Sequence, residues 1–132
     1  MPPVSLVATL AATIAGFVLG ALWYGPLFGK TWMAAIGVSR DTLTAGFNPA
    51  KTYGLTFVLG LIASWVFGLY VGPSPGFRFS VAAGAAVGIF WVATSLTTNY
   101  LFERRSATLI LINSGYHALR FILIGLAFAL LG

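Results

Sequence analysis

Asn113, His117 and Arg120 stand at i, i+4 and i+7 and so share one helical face, within Ala107 to Leu131, a stretch of about 25 residues that is otherwise apolar. At about 1.5 Å per residue this stretch is long enough to cross the roughly 30 Å hydrocarbon layer as a helix. An arginine, an imidazole and an amide at that depth make an unusual set. Arg120 offers a permanent cation with five donors, His117 a titratable ring, and Asn113 a neutral donor and acceptor. Burying an ionisable group in lipid costs on the order of 3 kcal/mol, so this face is expected to point into a bundle or a wet cavity.

If the helix enters the membrane at Ala107, His117 lies about 15 Å deep and Arg120 about 20 Å deep, beyond easy snorkelling. The sequence has two acids, Asp41 and Glu103, and both fall at or beyond a membrane interface. By the same depth count, Thr9, Thr13 and Ser64 lie near the level of Arg120, and their hydroxyls could accept its donors. Three readings stay open. The polar face holds a helix interface in register, or it binds an anion, a lipid headgroup or a polar small molecule, or it meets another chain or a pigment in a larger assembly.

Several chemistries are set aside by residue type. With no cysteine there is no disulfide, thiol nucleophile or thiolate metal site. One histidine without an intramembrane carboxylate is a poor metal or haem ligand set, so no metal and no cofactor is expected. Proton-coupled cation export would need a carboxylate inside a span. Hydrolysis pairing His117 with Ser114 or Ser95 would lack an acid to orient the imidazole, and no nucleophile turn is present. The reading is therefore a protein that is not an enzyme. Fluoride-channel-like proteins share the length, but their phenylalanine and threonine motifs are not visible here.

The elements that must position this face follow from composition. Of 132 residues, 59% are apolar and 7% charged, and the mean hydropathy is +0.97. That composition is an integral membrane protein's. The net charge of +5 sits mostly in short gaps between apolar runs, a placement that sets membrane orientation and argues against nucleic acid. Four spans are expected, over about 4–24, 52–72, 79–102 and 107–131. The first opens without a basic residue and is read as retained rather than as a cleaved signal.

Small residues supply the packing faces. Ser5, Thr9, Thr13, Gly16 and Gly20 mark the first span, Gly60, Ser64 and Gly68 the second, and Ser80, Gly84 and Gly88 the third. Such stripes let helix backbones approach closely. Trp23 and Tyr24 suit the interfacial belt, Gly25-Pro26 is expected to break the helix, and Leu27 to Val38 reads as a short interfacial or re-entrant helix. The indole of Trp65 would want a partner in the bundle. The polar turn of Thr94, Ser95, Thr97, Thr98 and Asn99 should partly face protein or water.

Four spans put both termini on one side. The connections after the first and third spans carry Lys30, Arg40, Lys51, Arg104 and Arg105, against Arg78 alone on the other side. The positive-inside rule places those connections in the cytoplasm and both termini outside it. The short Glu103-Arg104-Arg105-Ser106 reversal makes the last two spans antiparallel neighbours.

The run Trp23-Tyr24-Gly25-Pro26-Leu27-Phe28-Gly29-Lys30 with Trp32-Met33, and the later Phe102-Glu103-Arg104-Arg105-Ser106 with Ile112-Asn113-Ser114-Gly115-Tyr116-His117, resemble a family of small bacterial inner-membrane proteins catalogued as a domain of unknown function. The resemblance covers essentially the whole chain. It implies four membrane helices and a bacterial inner-membrane location, and it implies no activity. The sequence thus reads as an all-α polytopic membrane protein in the lipid bilayer, with four transmembrane helices and a short interfacial helix after the first. Self-association or membership of a larger membrane complex is expected. The polar face of Arg120, His117 and Asn113, with Ser64, Thr13 and Thr9, is its candidate binding site, and a structural or accessory subunit is the rival reading.

Overall fold

The computed structural model describes residues 4–132. Nine helical segments are found among them, and four continuous runs are long and apolar enough to cross a membrane: Leu6–Leu27, Pro49–Val71, Phe77–Phe102 and Ala107–Leu131. In detail these are α1 (Leu6–Leu22) with a π-helical turn (Trp23–Leu27), α2 (Gly29–Ile36), α3 (Arg40–Thr44) and α4 (Pro49–Val71). Then come α5 (Phe77–Ala86), a π-helical stretch (Val87–Ala93), α6 (Thr94–Phe102) and α7 (Ala107–Leu131).

Three of the four long helices start at a side-chain cap, the third span after Gly76 being the exception. Ser5 accepts from Ala8 N at the start of α1, and Ser106 accepts from Leu109 N at the start of α7. Asn48 accepts from Lys51 N with Pro49 in the first turn of α4, where its missing N–H is no loss. Ser39 caps α3, a short helix inside the connection between the first and second spans. The expected break at Gly25-Pro26 is present as a kink: Gly25 (φ −105°, ψ −105°) and Phe28 (φ −125°, ψ 7°) leave helical geometry, and α2 starts at Gly29 just beyond.

The three small-residue stripes are buried along most of their length. Thr9, Thr13 and Gly16 lie on α1, Gly60, Ser64 and Gly68 on α4, and Ser80, Gly84 and Gly88 on the third span. Closest is the pairing of α5 with α7. A methyl on Gly84 would overlap the Phe121 carbonyl, and one on Gly125 would overlap the Ser80 carbonyl. The Ser80 hydroxyl donates to Gly125 O at 2.7 Å across the same contact. Ala8, Ala12, Phe67, Phe121, Ile124 and Phe128 form the apolar core beside it.

One expectation about the second span is corrected, and one about the third is met at Thr97 alone. Trp65 stands on the outer surface, 44% exposed, rather than inside the bundle. Of the polar turn in α6, only Thr97 turns inward, to 3.4 Å from Ser114. Thr94, Ser95 and Thr98 face outward and donate to carbonyls one turn back, at Phe90, Trp91 and Thr94. A hydroxyl that satisfies itself on its own helix can face lipid without an unpaired donor, so polarity here did not signal burial.

Candidate functional site

The middle of α7 meets the second half of α1, and four side chains fasten the two. The Trp23 indole donates to Ile112 O at 2.9 Å, and the Tyr116 hydroxyl donates to Gly16 O at 3.0 Å. The Tyr24 hydroxyl donates to Asn113 Oδ1 at 2.7 Å, while Asn113 Nδ2 donates to the Tyr100 hydroxyl at 2.9 Å. Asn113 therefore ties the first, third and fourth spans together. Both ends of its amide are engaged, which makes it a strut rather than a free donor. Around it the rings of Tyr24 and Tyr116 pack edge to face at 5.4 Å, with Trp32 of α2 5.1 Å from Tyr24. This is what docks the short interfacial helix on the bundle.

Arg120 lies one turn beyond Tyr116 on the same face. Its side chain runs along the bare surface of Gly16, where a methyl would come within 3.5 Å of Cγ and Nε, and reaches toward Gly60 of α4, where a methyl would lie 3.9 Å from Nη2. The guanidinium thus occupies the gap between α1 and α4 that two glycines leave open. It is half-buried and makes no hydrogen bond or ion pair among the described residues. Its nitrogens are not among the sealed polar atoms. The aromatic ring of Phe121 lies 5.1 Å from its central carbon, a contact that offsets little of the desolvation.

The hydroxyls expected to accept from Arg120 donate to groups of their own and keep free lone pairs, yet none of them is bonded to it among the described residues. Thr9 donates to Ser5 O at 2.7 Å, Thr13 to Thr9 O at 2.8 Å, and Thr13 also reaches Ser64 Oγ at 3.3 Å. Thr13 and Ser64 sit next to the Arg120 gap, since Thr13 Cγ2 is 3.1 Å from a methyl placed on Gly60, and Thr9 lies a turn further along. His117 packs its ring 4.9 Å from that of Tyr116, and its Nδ1 is sealed without a partner. The structure therefore brings Arg120, Thr13 and Ser64 to one level, holds Asn113 in a separate bridge, and leaves His117 beside Tyr116.

Between α1 and α4 a groove of about 830 Å³ opens, lined by Gly16, Phe17, Gly20, Tyr24, Thr52, Tyr53, Thr56 and Tyr116 among others. It runs from the first turn of α4 inward to Gly16, and the next turn inward on α4 carries Gly60. Arg120 is not among its lining residues; its side chain lies against Gly16, the innermost residue of α1 on the groove. Among the described residues no group of acids, histidines or cysteines could hold a metal. From sequence Tyr24 has a place only in the interfacial belt, and neither Tyr100 nor Tyr116 has a site role. The spacing of Tyr116 to Arg120, i to i+4, was the available signal.

The family model described as "Protein of unknown function (DUF1761)" matches residues 7–129. The chain belongs to this family. The matched range contains every residue of the bridge and of the groove. Comparison with curated proteins and with solved structures returns no match. The DUF1761 domain here is an integral membrane protein of four apolar helices, and its activity has to be argued from the site.

Proposed function

We propose that this protein binds, or passes, a small anionic or polar species at Arg120, in a role that is not enzymatic. The observation that carries the reading is a guanidinium with no hydrogen-bond or ion-pair partner among the described residues, lying against Gly16 next to the groove. Arginine in the middle of a membrane is normally met by an acid or by backbone carbonyls, and a cation held without either is complementary to an anion that arrives from outside. Tyr116 and the Asn113 bridge keep the α1–α7 seam closed behind it. His117 is a neighbour on the same face. The protein is further proposed to lie in a bacterial inner membrane with both termini outside the cytoplasm, so that the groove opens toward the cytoplasmic side.

A second reading, a structural or accessory subunit, is favoured by the outer face of the third span. Phe90, Trp91 and Phe102 are 68%, 71% and 86% exposed, a row of aromatic rings suited to another copy or a partner helix.

The test is thermal unfolding of purified Arg120→Met and His117→Leu in parallel with the parent, each titrated with a panel of anions. The binding reading expects both variants to unfold no earlier than the parent, and anion stabilisation to vanish in Arg120→Met. Loss of folding in both variants, with no stabilisation of the parent by any anion, would leave the subunit reading in its place.

A further inference from the structure

The helices α1 and α4 meet deep in the bundle and part toward one end. Thr13 Cγ2 lies 3.1 Å from a methyl placed on Gly60, and the rings of Phe17 and Phe57 pack edge to face at 5.5 Å. Beyond those contacts the groove fills the wedge between the two helices, and Tyr116 of α7 lies against Gly20 as its floor. From Gly16 to Tyr24 is about 12 Å along the chain, most of the roughly 15 Å of hydrocarbon in one leaflet. Ala21, Tyr53 and Thr56 on its walls are exposed, so the wedge is open to the surrounding lipid.

The donors inside the wedge and at its mouth differ. Inside, Tyr24 donates to Asn113, Tyr116 to Gly16 O, and Thr56 to Thr52 O at 2.7 Å. Their hydrogens are spent, and Phe17, Ala21 and glycine make up the rest of the wall. At the mouth, in the first turn of α4, the hydroxyls of Thr52 and Tyr53 donate to no group among the described residues. A guest that fits is apolar along the depth and carries acceptors at the mouth, which is the order of parts in an amphiphile. At roughly 30 Å³ for each water-sized group, 830 Å³ is room for about 25 non-hydrogen atoms, the upper part of two acyl chains over that depth.

Charge selects the head of the amphiphile. The groove opens at the end that carries Lys30, Arg40, Lys51, Arg104 and Arg105 against Asp41 and Glu103, and Glu103 pairs with Arg105 at 3.8 Å. Lys51 stands in the same turn as Thr52 and Tyr53, exposed and without an ion pair among the described residues. A phosphate there accepts from the two hydroxyls and offsets the surplus of positive charge.

We infer that the groove is a site for an anionic phospholipid, with its chains in the wedge between α1 and α4 and its phosphate at the level of Lys51, Thr52 and Tyr53. The site is separate from Arg120, which does not line the groove, and neither proposal depends on the other.

The experiment is the unfolding midpoint of the full chain in a non-ionic detergent, with phosphatidylglycerol, phosphatidylcholine of the same chains, or free glycerol phosphate added in turn. The parent is compared with Ala21→Trp, which fills the wedge, with Lys51→Gln, and with Thr52→Val combined with Tyr53→Phe. Arg78→Gln removes a cation from the opposite end as the control. Unliganded midpoints and helical circular dichroism establish that each variant is folded. The expected result is a rise of several degrees with phosphatidylglycerol in the parent, a smaller one with phosphatidylcholine and none with glycerol phosphate. The advantage of phosphatidylglycerol is expected to shrink in Lys51→Gln and in the hydroxyl variant, to vanish in Ala21→Trp and to persist in Arg78→Gln.

Equal stabilisation of the parent by the two lipids overturns the inference, because the head is then not read. So does a phosphatidylglycerol response that survives Ala21→Trp, since the lipid then sits elsewhere, or one that Arg78→Gln reduces as much as Lys51→Gln does. Stabilisation by glycerol phosphate alone would leave a phosphate site without a place for the chains. A parent that no lipid shifts, and that runs as a dimer which Ala21→Trp dissociates, would give the groove to a second copy instead.

Discussion

Asn113 and Arg120 lie two turns apart on one helix face and have opposite relations to the fold. Asn113 has both ends of its amide engaged, accepting from Tyr24 at 2.7 Å and donating to Tyr100 at 2.9 Å. Replacing it with leucine leaves two tyrosyl hydroxyls without their partner, so Asn113→Leu is expected to cost about 1–2 kcal/mol. The measurement is reversible unfolding in detergent, run as a double-mutant cycle with Tyr24→Phe. The pair should show a coupling near ~1 kcal/mol, and additive losses would mean that the bridge contributes nothing. Arg120 engages nothing comparable, and removing it takes away a desolvated cation together with a few apolar contacts along Gly16. The loss expected in Arg120→Met is therefore one of ligand response rather than of stability.

At the level of elements, packing rests on positions where a side chain has no room. Gly84 and Gly125 bring the α5 and α7 backbones into contact, with the Ser80 hydroxyl bonded across them. Gly84→Leu is expected to destabilise by about 3 kcal/mol or more, because the obstruction is backbone carbonyl and cannot rotate away. A methyl on Gly54 of α4 would meet nothing within 4 Å, so Gly54→Ala should instead gain about 0.5–1 kcal/mol from helix propensity. Both are read from the unfolding midpoint of the purified variants. These stripes were legible from spacing alone, since a glycine or serine every fourth residue in an apolar run has few uses besides close approach. So was the lack of a counter-charge for Arg120, because the two acids of the chain both fall near the interface, whereas the hydroxyl partners expected for it are not bonded to it. What spacing could not reveal was the set of contacts between helices far apart in sequence. Tyr24 and Asn113 are 89 positions apart, and their meeting depends on the Gly25 bend, a backbone event that Gly25-Pro26 announces only as a break. Thr13 and Ser64 lie at the expected depth with bonds other than those expected, and Thr9 likewise turns back to its own helix, because a helical hydroxyl always has a carbonyl one turn behind it within reach.

Taken whole, the molecule is an asymmetric distribution of charge around an apolar bundle. Lys30, Arg40, Lys51, Arg104 and Arg105 gather at the end where the groove opens, and Arg78 alone marks the other end. A membrane that sorts loops by positive charge would retain the crowded end in the cytoplasm, and the groove would then open to that compartment. The chain has no cysteine, so single cysteines report on sidedness without a background. Ala45 lies exposed in the basic connection and Ser74 exposed in the opposite turn. In intact bacterial cells treated with a membrane-impermeant maleimide, Ser74→Cys is expected to be labelled and Ala45→Cys to be labelled only after the membrane is opened. The reverse pattern would turn the groove outward, and any species it holds would be drawn from the far side of the membrane. Labelling of both sites in intact cells would mean that the chain inserts in two orientations. In that case the charge bias of five to one does not govern insertion, and a site with one physiological mouth could not be assigned to the groove.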